Sequence, residues 1–347
     1  MMNVLIIKTS SLGDVLHTLP AVTDAACLLP DISFDWVVEE TFIEVPAWHA
    51  AVDTVIPVAL RRWKHGFLQA LRLGEPQTAV KRLRKHSYDR IIDAQGLIKS
   101  AIISRFARGP RYGLDRASAR EPLAASAYSR TFPVPRAQHA VARVRQLFAA
   151  ALEYAVPDTP PNYGIRDRFA AAQRQPVLVF LHGTTWPTKH WPDEYWVELA
   201  TMAAANGLQV KIPWGNASEQ QRAEKIAAAH RGVEVLSRMS LSELAELIAA
   251  ASGVVGVDTG LVHLAAALGT PCVTLYGATD PGLIGTVGDA QLHLQADFPC
   301  APCQARKCNY QGSAEVFPAC YGSLPPARVW QTLVANMAGV AVAGETS

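Results

Sequence analysis

Short apolar runs separated by amphipathic stretches recur along most of the chain, and their spacing sets the architecture. Residues 4–7 (Val-Leu-Ile-Ile), 34–38, 54–58 and 90–93 are brief β-rich runs of the kind that form buried parallel strands. Helix-period stretches fall at 15–28, 79–85 and 98–106, and an amphipathic helix at about 138–154 closes this half. A Pro-rich stretch without periodicity, Val156 to Tyr163, reads as part of a linker. The alternation then restarts. Strands are expected at 177–181, 210–213, 233–236, 254–257 and 272–276, and helices at 193–205, 219–230, 241–251 and 261–268. Ser240-Leu-Ser-Glu243 has the spacing of a capping box, which supports a helix start there. Two β/α runs around a linker predict an α/β protein with two doubly wound parallel-sheet domains facing a cleft, at 1–165 and 166–325. The last amphipathic segment, within 326–347, is expected to pack back on the first domain.

Composition agrees with this picture. A chain of 347 residues is too long for one ordinary domain and suits two of ~150–170 residues each. Half the residues are hydrophobic and 18% are charged, which excludes wholesale disorder. The apolar run near the N-terminus is four residues long with no small-residue cleavage site after it, so no signal peptide is expected. Nowhere do 18 uncharged apolar residues occur together, so no spanning helix is expected either. The expected compartment is the cytoplasm.

Charge changes the picture more than composition does. The net charge of +2 hides a stretch, residues 61–145, with 19 basic and 5 acidic side chains. Such a concentration favours a polyanionic partner, although a solvated basic face has the same composition. No zinc-finger or RNP-type signature accompanies it, so a phosphorylated lipid or nucleotide is expected, not nucleic acid.

Three strand-to-helix junctions carry candidate chemistry, because α/β proteins place ligands at the carboxyl ends of their strands. In Lys8-Thr-Ser-Ser-Leu-Gly-Asp-Val-Leu-His17, Gly13 allows a tight turn and Asp14 sits at a helix N-terminus. Asp14 is either a plain cap or a general base toward an acceptor hydroxyl. In His182-Gly-Thr-Thr-Trp-Pro-Thr-Lys-His-Trp-Pro192, Thr184 and Thr185 with backbone amides can hold phosphate oxygens, and Lys189 adds a point charge. A solvated loop is the competing account. In Val255-Gly-Val-Asp-Thr-Gly-Leu-Val-His263, Thr259 and Gly260 put free N–H groups at a helix start, a seat for a diphosphate. Asp258 suits sugar hydroxyls, and His263 is either a phosphate contact or a satisfied helix histidine. Glu219, after Pro213-Trp-Gly215, can accept both ribose hydroxyls, and Met239 suits an adenine face or the core.

There is no G-x-G-x-x-G after a strand and no G-x-x-x-x-G-K-[ST], which argues against a dehydrogenase or P-loop NTPase. No D-x-D-like motif stands beside the phosphate motifs, so Lys189 and helix-end amides are expected to neutralise a leaving diphosphate without a required cofactor. Cys27 and Cys272 sit in apolar contexts and are expected to be buried. Cys300, Cys303, Cys308 and Cys320 form C-x₂-C-x₄-C-x₁₁-C in a loop-rich tail, which in a reducing compartment reads as a structural zinc site in preference to two disulfides, with free thiols in a loop as the open alternative.

In combination these motifs resemble the lipopolysaccharide heptosyltransferases of glycosyltransferase family 9. The likeness rests on Lys8 to Pro20, Phe34-Asp-Trp-Val-Val-Glu-Glu40, Asp93-Ala-Gln-Gly96, Lys189-His-Trp-Pro192, Pro213-Trp-Gly215, Val257-Asp-Thr-Gly260 and Thr279-Asp-Pro-Gly-Leu-Ile-Gly285. It covers residues 1–285 and implies a GT-B fold of two Rossmann-like domains and inverting transfer of heptose from ADP-heptose. Asp14 would be the catalytic base. Thr184, Thr185, Lys189, Thr259, Gly260 and His263 would hold the diphosphate, Glu219 the ribose, Met239 the adenine and Asp258 the heptose. Arg61, Arg62, Lys64, Arg120, His139 and Arg143 would contact the phosphates and carboxylates of the acceptor, expected to be the Kdo of Kdo2-lipid A. The cysteine tail departs from that pattern and keeps an already heptosylated core open as acceptor. A monomer at the inner face of the inner membrane is expected. A nucleotide-sugar epimerase would not need the basic stretch, and a solute-binding protein would be expected to carry a signal peptide.

Overall fold

The computed structural model describes residues 2–171, 173–228 and 230–345, with side chains described through 339. The chain divides into two compact units, Met1–Ile165 and Arg166–Ser347.

In the first unit β1 (Met2–Ile7), β2 (Ile32–Glu39), β3 (Val52–Val58), β4 (Arg90–Asp93), β5 (Arg111–Leu114) and β6 (Arg130–Phe132) form one parallel sheet. The order is β3-β2-β1-β4-β5-β6. Val4, Leu5, Ile6 and Ile7 are all buried, so both faces of β1 are covered, as an all-parallel sheet requires. In the second unit β7 (Gln175–Leu181), β8 (Gln209–Ile212), β9 (Val233–Val235), β10 (Ala251–Val257), β11 (Cys272–Tyr276) and β12 (Gln291–Gln295) repeat the pattern. Their order is β12-β11-β10-β7-β8-β9, again wholly parallel. In both sheets the strand order reverses beside the first strand of the unit, between β1 and β4 and between β7 and β10. A crevice opens at the carboxyl ends of such a pair.

Several elements differ from the sequence expectation. β5, β6 and β12 were not expected, because each is short and carries Arg or Gln where a buried run should stand. The helix expected over 15–28 is two helices, Leu12–Leu16 and Leu19–Leu28. Pro20 lacks an N–H and is tolerated only in the first turn of the second one. A further helix, Leu60–Arg72, bends at Gly66, whose φ/ψ of −145°/47° is not helical. Cys27 is exposed, not buried, because it lies on the outward side near the end of Leu19–Leu28; Cys272 is buried in β11.

The terminal helix, Pro326–Glu345, corrects the expectation that it packs back on the first domain. Its Val329 and Leu333 are fully buried in the core of the second unit, with Leu178, Trp196, Val273 and Leu275. The apolar stripe of the helix thus covers the sheet of the unit that precedes it, which is the shortest connection available.

Candidate active site

At the β7/β10 crevice the two strand tips are joined by one buried cluster. Lys189 Nζ lies 2.6 Å from Asp258 Oδ2, with side chains 13% and 6% exposed. Thr279, after β11, donates its hydroxyl to the same Oδ2 at 2.7 Å. Thr184 donates its hydroxyl to the Asp258 carbonyl at 3.2 Å. Two loops, those after β7 and β11, therefore converge on one aspartate at the tip of β10. Tyr321, buried, donates to the Lys189 carbonyl at 2.9 Å and fixes the backbone beneath the ammonium group.

The helix Gly260–Leu268 begins in this cluster. Thr259 is its N-cap, with extended backbone (φ −146°, ψ 162°), so the N–H groups of the first turn point out of the helix start. Gly256 lets β10 and the helix approach, since a Cβ there would come within 2.4 Å of Val262. His263 is 4% exposed in the second turn. Thr185 is exposed, and Thr259 and Gly260 are half-buried.

Glu219 lies beside the cluster. Its carboxylate accepts the Gly215 N–H at 2.8 Å, and its own N–H is capped by Asn216 at 3.1 Å. A Cβ on Gly183 would stand 2.7 Å from that carboxyl group, so glycine at 183 is what lets Glu219 reach over the β7 tip. Trp214 donates its indole N–H to the Leu236 carbonyl at 2.7 Å, tying the β8 loop to the segment that leads to Met239. Met239 is exposed to intermediate degree at most in no regular element, in the connection before Leu241–Ala250.

Sequence reasoning missed Trp186 and Arg306. Lys189 Nζ and Arg306 Cζ stand 4.6 and 5.2 Å from the Trp186 ring centroid, so two cations share one indole. The loop that carries Arg306 is pinned on both sides of the cluster. Thr188 donates to the Ala305 carbonyl at 2.6 Å, and the Gln304 N–H donates to the Ala278 carbonyl at 2.8 Å. A loop between cysteines gives no periodic signal, so this contact was not legible. Cys300, Cys303 and Cys308 are exposed and free, and Cys320 is half-buried. Burial, then the other three thiols, pushes the Cys320 thiol up to about 11. Among the described residues no three His, Cys, Asp or Glu side chains are gathered as a metal-ligand set.

His190 and Trp191 pack at the next helix start. Trp191 is 1% exposed, donates to the Leu324 carbonyl at 3.0 Å and meets Trp196 edge-on. Burial, then the Arg222 charge, lowers His190 to about 4; the same two causes lower His182 to about 4.

At the β1/β4 crevice of the first unit, Asp14 lies in the first turn of Leu12–Leu16. Its Oδ2 accepts the Ser11 N–H at 2.7 Å and the Ser11 hydroxyl at 3.0 Å. Asp14 thus caps its helix, yet its side chain stays 36% exposed, with Lys8 Nζ 3.8 Å from Oδ1. Lys8 is itself held by the Ala94 carbonyl at 2.9 Å. Gln95 binds the two tips together, its Oε1 accepting the N–H groups of Thr9 and Ser10 at 3.0 and 3.2 Å. Asp93, fully buried, accepts from Tyr128 Oη at 2.7 Å and from the Gln95 and Gly96 N–H groups. Burial raises its pKa against those hydrogen bonds. The Asp93-Ala-Gln-Gly96 motif is therefore scaffolding that holds the Asp14 loop.

The six basic acceptor candidates fall in two groups. Gly96, at φ +65°, turns the chain against Ala119 and Arg120. Arg143 donates to the Ser118 carbonyl at 2.7 Å, and Arg136, which sequence reading passed over, donates to the Ala119 carbonyl. Burial, then the Arg136 charge, lowers the Arg143 pKa. His139 caps Ala140–Leu152 and meets His17, at the end of the Asp14 helix, edge-on at 6.0 Å. Arg120, Arg136, His139 and Arg143 thus gather beside that helix. Arg61, Arg62 and Lys64 belong to Leu60–Arg72, tied to the β2 tip by the Arg61 N–H donating to Glu39 at 3.1 Å. Arg62 is already ion-paired with Glu40 and Glu75 at 3.0 and 2.8 Å, while Lys64 is exposed.

Two parallel sheets of one topology, each with polar loops at its switch point, are the architecture of the two-domain GT-B class. The chain belongs to glycosyltransferase family 9, the heptosyltransferases, whose family model matches residues 78–314. It is 52% identical over 348 residues to lipopolysaccharide heptosyltransferase 1 of Pseudomonas aeruginosa, covering 97% of this chain and 98% of that one. The structure of E. coli heptosyltransferase WaaC with ADP-2-deoxy-2-fluoro heptose superposes with a TM-score of 0.83 at 43% identity, over 96% of this chain and 100% of that chain. Lipopolysaccharide heptosyltransferase 2 of Escherichia coli is more distant, 27% identical over 81% of this chain and 84% of that one. The protein is accordingly a heptosyltransferase of lipopolysaccharide biosynthesis. Among the described residues no helix is long and apolar enough to cross a membrane.

Proposed function

We propose that the protein transfers heptose from ADP-heptose to a hydroxyl of Kdo on Kdo2-lipid A, with inversion at the anomeric carbon. The observation that carries this reading is the convergence of Lys189, Thr279 and Thr184 on Asp258 at the start of Gly260–Leu268. A helix N-terminus with an adjacent ammonium group suits a diphosphate. In this reading Thr184, Thr185, Lys189, Thr259, Gly260 and His263 serve the diphosphate, Glu219 the ribose, Met239 the adenine and Asp258 the heptose hydroxyls. Asp14 accepts the acceptor hydroxyl proton as that oxygen bonds to the anomeric carbon. The bond to the β-phosphate breaks, and ADP leaves with the electron pair. Lys8 Nζ, 3.8 Å from Asp14 Oδ1, helps hold the carboxylate in place beside the reacting oxygen. Arg61, Lys64, Arg120, His139 and Arg143 meet the acceptor's anionic groups, and Arg62 joins them only by releasing Glu40 or Glu75. This chemistry uses no resident cofactor.

The proposed site of action is the cytoplasmic face of the inner membrane, with the protein as a monomer. Cys300, Cys303, Cys308 and Cys320 are proposed to bind one structural zinc ion, a reading that rests on their C-x₂-C-x₄-C-x₁₁-C spacing and needs the loop to draw them together. One zinc per chain by elemental analysis of reduced protein is expected, and a metal-free, fully folded chain would remove it. The deciding experiment incubates the protein with ADP-heptose and either Kdo2-lipid A or its once-heptosylated form, and weighs the products. Mass gain by the first alone is expected. Gain by the second alone assigns the heptosylated core as acceptor.

A further inference from the structure

The helices Leu60–Arg72 and Glu75–Leu83 display an apolar surface that the first unit's own core does not use. Phe67, Leu68 and Leu73 are 54%, 73% and 66% exposed. Phe67, Leu68 and Leu71 fall on one side of the segment after the Gly66 bend. Leu71 also lines an open groove of about 890 Å³ together with Pro76 and Val80. The exposed stripe and the groove are therefore one continuous apolar surface. Lys81, Arg82, Arg84 and Lys85 edge the groove. Between residues 60 and 85 there are eight Lys and Arg and a single acidic residue, Glu75, already engaged by Arg62 and Trp63.

Apolar groups exposed to water beside a cluster of cations match an interfacial helix. Cations alone would fit any polyanion, but a nucleic acid offers nothing to Leu68 and Leu73, whereas the headgroup boundary of a lipid layer takes both. We propose that this helical pair docks the protein on an anionic lipid surface. Phe67, Leu68 and Leu73 enter the headgroup boundary, and Lys81, Arg82, Arg84 and Lys85 lie against lipid phosphates. The proposal rests on the reading of a lipid-borne acceptor. Arg61 and Lys64 sit on the same helix, so docking places the acceptor contacts at the lipid surface.

The test is co-sedimentation of the full chain with vesicles of phosphatidylglycerol and phosphatidylethanolamine, or of phosphatidylcholine alone. Binding to the anionic vesicles is expected, weakening with salt, with at least tenfold less to phosphatidylcholine. The triple variants Phe67→Ser/Leu68→Ser/Leu73→Ser and Lys81→Glu/Arg82→Glu/Arg84→Glu should each lose tenfold or more. ADP affinity and transfer to a deacylated, water-soluble acceptor should stay at the parent level, which shows that both variants fold. Transfer to acceptor embedded in vesicles should fall. Undiminished vesicle binding by both variants overturns the proposal. So does a parent dimer that the serine variant dissociates, or preferential binding to RNA. A parent protein that binds vesicles but transfers to neither acceptor refutes the acceptor reading and leaves the docking surface standing.

Discussion

Lys189 and Asp258 form a buried pair for which the proposed role in binding also bears on stability. Removing one partner of a buried pair leaves the other charge stranded, at about 3–5 kcal/mol. Lys189→Ala should therefore lower stability to denaturant as well as ADP affinity. Adding Asp258→Asn should restore much of the stability, because Thr279 and Thr184 still satisfy the position, but none of the affinity. Calorimetry showing restored ADP binding in the double variant would contradict a phosphate role for Lys189. Asp14 behaves differently, since its partners are its own helix start and Lys8. Asp14→Ala should reduce turnover by at least ~10²–10⁴, the range of general-base catalysis, and leave ADP affinity unchanged. Near-normal turnover would exclude Asp14 as base.

At the scale of elements, glycines and loops decide where these side chains point. The Glu219 carboxylate occupies the space that a Cβ on Gly183 would fill. Gly183→Ala should swing that carboxylate away from the Gly215 N–H and weaken ADP binding about fivefold, as for one hydrogen bond of ~1 kcal/mol. Unchanged affinity would separate Glu219 from the nucleotide. In the first half Asp14 was legible because its motif follows an apolar strand directly, whereas Gln95 stood only inside the Asp93-Ala-Gln-Gly96 likeness and its clamp on the Asp14 loop was not foreseen. Arg136, Trp186 and Arg306 were not legible. They lie in irregular segments, and nothing local in a sequence says that residue 306 returns to residue 186.

For the whole molecule, pH sets a further limit. Burial lowers His49, His182 and His190 to about 4, from an ordinary value near 6.5. His49 shows why: it is 5% exposed, its Nδ1 accepts the Ala51 N–H and its Nε2 faces the Thr23 hydroxyl, a pattern that suits the neutral ring. Below pH 6.5 the unfolded chain binds protons that the folded chain refuses, so stability falls with pH and the loss levels off below about 4. For one such histidine the loss is about 2 kcal/mol at pH 5. Denaturant curves of His49→Gln at pH 7.5 and 5 should show a difference smaller by that amount than the parent's. An equal difference would mean His49 titrates in the folded state.

By itself the sequence determined the two α/β halves, the main central strands and the three strand-tip motifs, because strand periodicity and the residues directly after a strand are local properties. Tertiary structure alone decided that β5, β6 and β12 complete the sheets, that the last helix covers the second sheet, and that Thr279, Tyr321 and Arg306 join Lys189. Those outcomes depend on which surfaces meet across many residues of separation, and burial against a distant partner leaves no mark in the local pattern.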